Sequence, residues 1–407
     1  MNIMRFDKWI KIPFLNLLIV SFIGVILRYK IAFPLPFVEQ KYLLHAHSHF
    51  AFTGWLSQLL MTLIVKYIFI QNKNSRLQKY RLLLGVNLLS AYGMLLSFSF
   101  QGYGAVSIFF STLSIFVSYA FTFYVWRDLN ALPKKSISHS WFKAALLFNA
   151  VSSLGAFALA FMMINKIAHA TWFLATAYFF LHFQYNGWFF FACMGLLQQW
   201  LTERNIVLSA NTVKAIFWLF CIAVVPAYFL SALWLPIPFW LYILVVAAAI
   251  AQCGGLILLI KCIKNKKEII NTIINRPVKW LWLLSLLALV IKLLLQLCSV
   301  IPSLSQATFG FRPIVIGYLH LVLLGILTIF LLGYYAQTNI VHNTKWFYTG
   351  LFVFVTGIII NEVLLMLQGI NAMMYNGVPF INEMLLITAI IMFSGLVLIN
   401  RGVWKIP

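Results

Sequence analysis

The sequence predicts an all-α polytopic membrane protein, twelve transmembrane helices arranged as three pseudo-equivalent four-helix units. Three observations predict this. The 407-residue chain is 63% hydrophobic and 9% charged, with a mean hydropathy of +0.96, more apolar surface than a soluble domain can bury. Its apolar residues gather into runs of about 20, the length that crosses a bilayer as a helix. A short motif, His followed five positions later by Gly, occurs three times at gaps of 133 and 138 residues, close to a third of the chain each.

The runs lie at 12–28, 44–69, 82–100, 103–126, 142–164, 170–198, 213–235, 237–262, 280–300, 313–336, 346–368 and 378–400. Met1 to Lys11 is basic and leads into the first run with no small-residue cleavage site, so that run is expected to stay as a span. The intervening stretches are polar: 71–81 and 264–279 are basic, Pro236 and Pro238 mark a turn, and Asn371 to Pro379 is a short connection. The whole is expected to be one membrane domain, 1–407, with pseudo-repeats at about 1–135, 136–270 and 271–407.

Charge sets the orientation. With both termini cytoplasmic, 23 Lys and Arg fall on the cytoplasmic side and 5 on the other, with Lys292 left inside a span. That asymmetry is the positive-inside signal. The net charge of +22 is therefore a topology signal rather than a nucleic-acid footprint, and the expected location is a bacterial cytoplasmic (inner) membrane. The five Cys are scattered through apolar segments without a CxxC pair and read as small hydrophobes.

The motif copies read His49-Phe-Ala-Phe-Thr-Gly54-Trp55, His182-Phe-Gln-Tyr-Asn-Gly187-Trp188 and His320-Leu-Val-Leu-Leu-Gly325-Ile326. They fall on spans 2, 6 and 10, all running outside to inside, with each His in the outer half. On a straight α-helix the Gly lies about 140° past one full turn from its His, where it would admit a neighbouring helix or a flat ligand. An intramembrane His is costly and marks function, and neutral imidazole ligates haem iron, copper and zinc. Span 2 is the richest, His45-Ala-His47-Ser-His49: His45 and His49 share a helical face and His47 points away. The candidate metal ligands are His45, His47, His49, His182 and His320. His139 and His342, in cytoplasmic loops, and His169, at an outer helix start, are expected to be solvated.

Twelve spans in three fours, with histidines on spans 2, 6 and 10, resemble subunit I of the haem–copper oxidase superfamily, which includes cbb3-type oxidases and nitric oxide reductases. His47-Ser-His49-Phe-Ala-Phe-Thr-Gly54-Trp55 is similar to the pattern that cbb3 types carry on their tenth span. The chain also resembles the NnrS family of twelve-span haem and copper proteins linked to nitric oxide. The resemblance implies a haem, b-type, with copper as an optional second metal. It implies His320 with either His45 or His49 as the axial pair, and His182 at the first copper-ligand position. Tyr318 stands where the family has the first histidine of span 10, and Arg312 is placed for a haem propionate, as Lys30 and Lys41 are. The implied partners are a small gas (oxygen or nitric oxide), an electron donor, the lipid bilayer and respiratory subunits. The chain departs from the family on span 7, which has no His at all, so the copper site of a binuclear centre is incomplete and conventional oxygen reduction is not expected.

Other buried polar groups are Lys292 with Gln296 on span 9, Asn361, Glu362 and Gln368 on span 11, and Glu383 on span 12. No P-loop, dinucleotide fingerprint, HExxH or nucleophile elbow is present. The competing readings are a transporter or metal permease that uses the His cluster as a pathway, and a non-catalytic subunit of a respiratory complex. Transporters place broken helices at their binding sites, whereas here Pro226 interrupts only span 7.

Overall fold

The computed structural model describes residues 6–72, 77–167, 169–309, 311–338 and 344–404. His342 and the cations Arg5, Lys73, Arg76 and Lys405 lie outside them. Among the described residues there is no strand. The main helices are α1 (Phe6–Ala32), α2 (Gln40–Gln71), α3 (Gln78–Gln101), α4 (Ala105–Ala131), α5 (Ile137–Ile164), α6 (170–203), α7 (Ala210–Ala223), α8 (Phe239–Asn265), α9 (Arg276–Ser299), α10 (Arg312–Gln337), α11 (Lys345–Met373) and α12 (Ile381–Trp404). Apart from α7, which covers only the first half of its run, they lie where the apolar runs predict. Ten of them are long and apolar enough to cross a membrane, so the protein is an integral membrane protein in contact with lipid.

The two that fall short are informative. α6 is a long run but carries His182, Gln184 and Asn186 at its centre. α7 has 14 residues and stops at Ala223, because Pro226 has no N–H to continue the ladder; a 3₁₀ turn, Pro226–Ser231, follows. The basic stretch 264–279 is largely helical rather than loop, with a short helix Lys267–Ile273 between α8 and α9.

The chain divides into two compact units. One comprises Met1–Pro133 with Thr338–Pro407, the other Lys134–Gln337. The first boundary coincides with the predicted repeat boundary near 135, while the second cuts through the third predicted repeat, between α10 and α11. In the first unit α1 packs against α2 and α12, α2 against α3, α3 against α4, and α11 against α12. The α11–α12 pair approaches backbone to backbone: a Cβ on Gly350 would lie 2.6 Å from the Gly395 carbonyl, and one on Gly395 2.6 Å from the Phe354 nitrogen. Small residues make that approach possible in lipid, where no hydrophobic drive pulls helices together. In the second unit α5 packs along the length of α6, α7 against α8, and α9 against α10.

Hydrogen-bonded side chains tie these apolar helices, since bilayer lipid satisfies no polar group. Asn400 Nδ2 donates to the Phe14 carbonyl at 3.0 Å, joining α12 to α1. Asp128 on α4 accepts from Lys79 Nζ at 2.6 Å and from the Tyr80 hydroxyl at 2.8 Å on α3.

Candidate functional site

Each motif histidine is followed by a π-helical segment that contains the motif glycine: Ala51–Ser57 after His49, Phe183–Phe189 after His182, and Leu321–Thr328 after His320. π turns close i to i+5 and concentrate at functional sites. The residue at i+5 is then about one turn on, so the widening moves each glycine back towards the face of its histidine, away from the 140° offset of a straight α-helix. All three His-bearing helices therefore carry an irregular turn, which the absence of Pro at those turns conceals.

A π segment leaves carbonyls outside the α ladder, and buried carbonyls need partners. Asn16 Nδ2 on α1 donates to the Gly54 carbonyl at 2.6 Å, and Asn87 Nδ2 on α3 donates to the Thr53 carbonyl at 3.2 Å. On α10, Ser285 Oγ from α9 donates to the Ile326 carbonyl at 2.8 Å. The motif glycines differ in what they admit. A Cβ at Gly187 would meet Phe148 Cβ of α5 at 2.5 Å, one at Gly325 Ala288 Cβ of α9 at 3.3 Å, and one at Gly54 the ring of Phe50 on its own helix at 2.8 Å. Two of the three thus seat a neighbouring helix.

In the first unit the shared face of His45 and His49 is borne out. The His49 ring stacks on Phe98 at 4.4 Å between centroids, and its Nε2 lies 3.3 Å from the Tyr103 hydroxyl. The His45 ring meets Tyr103 edge to face at 4.7 Å. His45 Nε2 is buried and has no hydrogen-bond partner. His47 points the other way, its Cε1 3.5 Å from where a Cβ on Gly24 of α1 would stand. Lys30 Nζ donates to the Leu35 carbonyl at 2.7 Å.

In the second unit His182 is fully buried and both its ring nitrogens are engaged. Nε2 lies 2.7 Å from the Val224 carbonyl, and Nδ1 3.1 Å from Asn186 Nδ2. The carbonyl only accepts, so Nε2 carries the proton and Nδ1 accepts from Asn186. The break at Pro226 creates this acceptor: in a continuous helix the Val224 carbonyl would take the Tyr228 N–H, which goes to Val225 instead. His320 lies 2.8 Å from the Ile316 carbonyl through Nδ1. Nδ1 therefore carries the proton and Nε2 the lone pair, the tautomer that metal-ligating histidines adopt. The Tyr318 ring meets Tyr185 edge to face at 6.2 Å. Arg312 is exposed at the start of α10.

One expectation is corrected. His139 is buried, 4% exposed, in the first turn of α5. Ser136 caps that helix, accepting from the Ser138 N–H at 3.3 Å, so α5 begins five residues before the apolar run and turns His139 inward. His169 is exposed just before α6, as expected. On α11, Asn361 Nδ2 donates to Glu362 Oε1 at 3.1 Å, whereas Gln368 turns to Asn382 at 3.5 Å.

Among the described residues no three His, Cys, Asp or Glu side chains converge as a metal-holding group. Haem iron asks the protein for only one or two axial ligands, a demand that single histidines meet. The residues that sequence reasoning passed over are the aromatic partners Phe98 and Tyr103 and the carbonyl acceptors' donors Asn16 and Asn87. An Asn within an apolar run is a signal that could have found the last two. No protein-family model and no curated protein matches the chain.

Proposed function

We propose that this is an integral membrane haem protein of twelve spans in three four-helix units, related in plan to subunit I of the haem–copper oxidases and to the NnrS family, and that it handles electrons or a small gas. The observation that carries the proposal is His45 Nε2, a buried imidazole nitrogen without a protein partner, beside the aromatic wall of Phe98 and Tyr103. Buried polar atoms are normally paired, so an unpartnered imidazole nitrogen is open to a ligand. His45 is the iron ligand in this reading. Tyr103 engages His49 Nε2, which makes His49 an orienting neighbour. A haem bound here supplies one-electron chemistry or gas binding.

Three packing features support the three-unit plan. The first helix of each predicted unit lies against the π-bearing second helix: α1 on α2, α5 on α6, α9 on α10. Copper has weaker support, since metal at His182 would have to displace the Val224 carbonyl or the Asn186 amide. An electron donor, respiratory partner subunits, a bacterial inner membrane and cytoplasmic termini belong to the same proposal.

The test is an absorption spectrum of the detergent-purified chain, oxidised and dithionite-reduced, with iron and copper analysis. Sharp reduced haem bands that His45→Ala abolishes and His49→Ala only shifts are expected; His320→Ala reads whether that residue ligates as well. A colourless, iron-free protein from haem-replete cells refutes the proposal. It would favour the permease reading, for which the break between α7 and the Pro226–Ser231 turn is the supporting observation.

A further inference from the structure

A second polar cluster lies inside the second unit, around a cavity of about 10 Å³, room for one water-sized particle. Asn186, Phe190 and Phe191 of α6, Phe220 of α7, Gln252 of α8 and Lys292 of α9 line it. Lys292 is 5% exposed and Gln252 3%. Gln252 Oε1 has no hydrogen-bond partner. The acidic residues of this unit are Glu203, at the end of α6, and Glu268, on the short helix after α8, so among the described residues of this unit no carboxylate lies inside a span. His182 and Cys253 lie near enough to act on it electrostatically, and His182 already spends both nitrogens on Val224 and Asn186.

A buried lysine without a counter-charge must either give up its proton or find an anion. A water in the cavity would hydrogen-bond to it but leave its charge uncompensated. An anion would compensate it, with the attraction strengthened by the dry aromatic wall. Turning the Gln252 amide, whose O and N positions are interchangeable in shape, presents a second donor. Oxyanions such as sulfate or phosphate are too large for the space.

We propose that this cavity binds a small monovalent anion of the halide class, held by the Lys292 ammonium and the Gln252 amide. The site is built from other residues than the histidine face of α2 and does not depend on haem.

The test is equilibrium dialysis of the full chain in detergent with radiolabelled chloride, in gluconate buffer at constant ionic strength. Binding that saturates near one ion per chain, and that bromide displaces but sulfate does not, is expected. Lys292→Met should weaken it at least about tenfold and Gln252→Leu several-fold, because each removes a buried donor from the anion. Should the Lys292 variant fail to fold, the wild-type melting midpoint still decides: it is higher in chloride than in gluconate if the site exists. No chloride binding by the wild-type chain, a midpoint indifferent to chloride, or chloride binding that Lys292→Met retains, overturns the proposal.

Discussion

Replacing the three motif glycines by alanine, one at a time, should give three different losses of stability. At Gly187 the new Cβ would lie 2.5 Å from Phe148 Cβ and 3.1 Å from its Cγ, against an optimum for carbon pairs of about 3.5–4.0 Å. A Cβ cannot swing aside, so α5 and α6 must separate by about 1 Å. That disturbs the contacts of Phe148 with Phe183 and Phe191. Overpacking of this kind costs about 1–3 kcal/mol, and the better helix propensity of Ala returns up to about 1 kcal/mol. The net loss is about 1–2 kcal/mol, close to tenfold in the unfolding equilibrium. At Gly54 the obstacle is the Phe50 ring at 2.8–3.2 Å, buried but able to turn, and the cost is smaller. At Gly325 Ala288 Cβ stands at 3.3 Å and gives by a few tenths of an ångström, so propensity leaves Gly325→Ala neutral or slightly stabilising. Unfolding in mixed micelles by increasing SDS, followed by tryptophan fluorescence, measures the series. If Gly325→Ala costs as much as Gly187→Ala, the glycines do not serve helix contact, and a role common to all three copies must replace that account.

Other substitutions test the polar ties. Asn16→Leu removes the bond to the Gly54 carbonyl and the one accepted from the Tyr92 hydroxyl, both 2.6 Å. The loss should be about 1–3 kcal/mol, between the average for a hydrogen bond in a membrane and that for two orphaned buried groups; the same SDS titration reads it, and an unchanged curve refutes it. Asp128→Asn breaks the pair with Lys79, whose side chains are 19% and 16% exposed, and should lower stability by about 1 kcal/mol. The loss should persist at high salt, since partly buried pairs are screened little; a loss that salt erases would mean the pair is solvated.

The positions of the helices were legible because a bilayer imposes one length on apolar runs. The common face of His45 and His49, and the opposite one of His47, followed from helical period alone. The π segments were not legible: in a run where nearly every residue is apolar, one extra residue per turn leaves no break in pattern. The shortness of α7 could be anticipated from Pro226, but not that the carbonyl freed there would take His182, a partner 42 positions away in sequence. His139 was misplaced because Lys134, Lys135 and Lys143 around it read as a loop, while the Ser136 cap started the helix early. Lys292 was visible as an anomaly in an apolar run, and only the fold brought Gln252 and a cavity to it.

The division of the chain at 133 and 338 bears on biogenesis. Helices α1 to α4 leave the ribosome first, yet the unit they belong to is finished by α12, which docks on α1 through Asn400 and Phe14. Between these events the whole of α5 to α10 is synthesised. The apolar face of α1 that finally meets α12 must wait, in lipid or against an insertion factor, while the second unit is made. Truncation of the gene after α10 would therefore leave the late-made unit whole and strand the early-made one, the reverse of what sequential folding of domains gives.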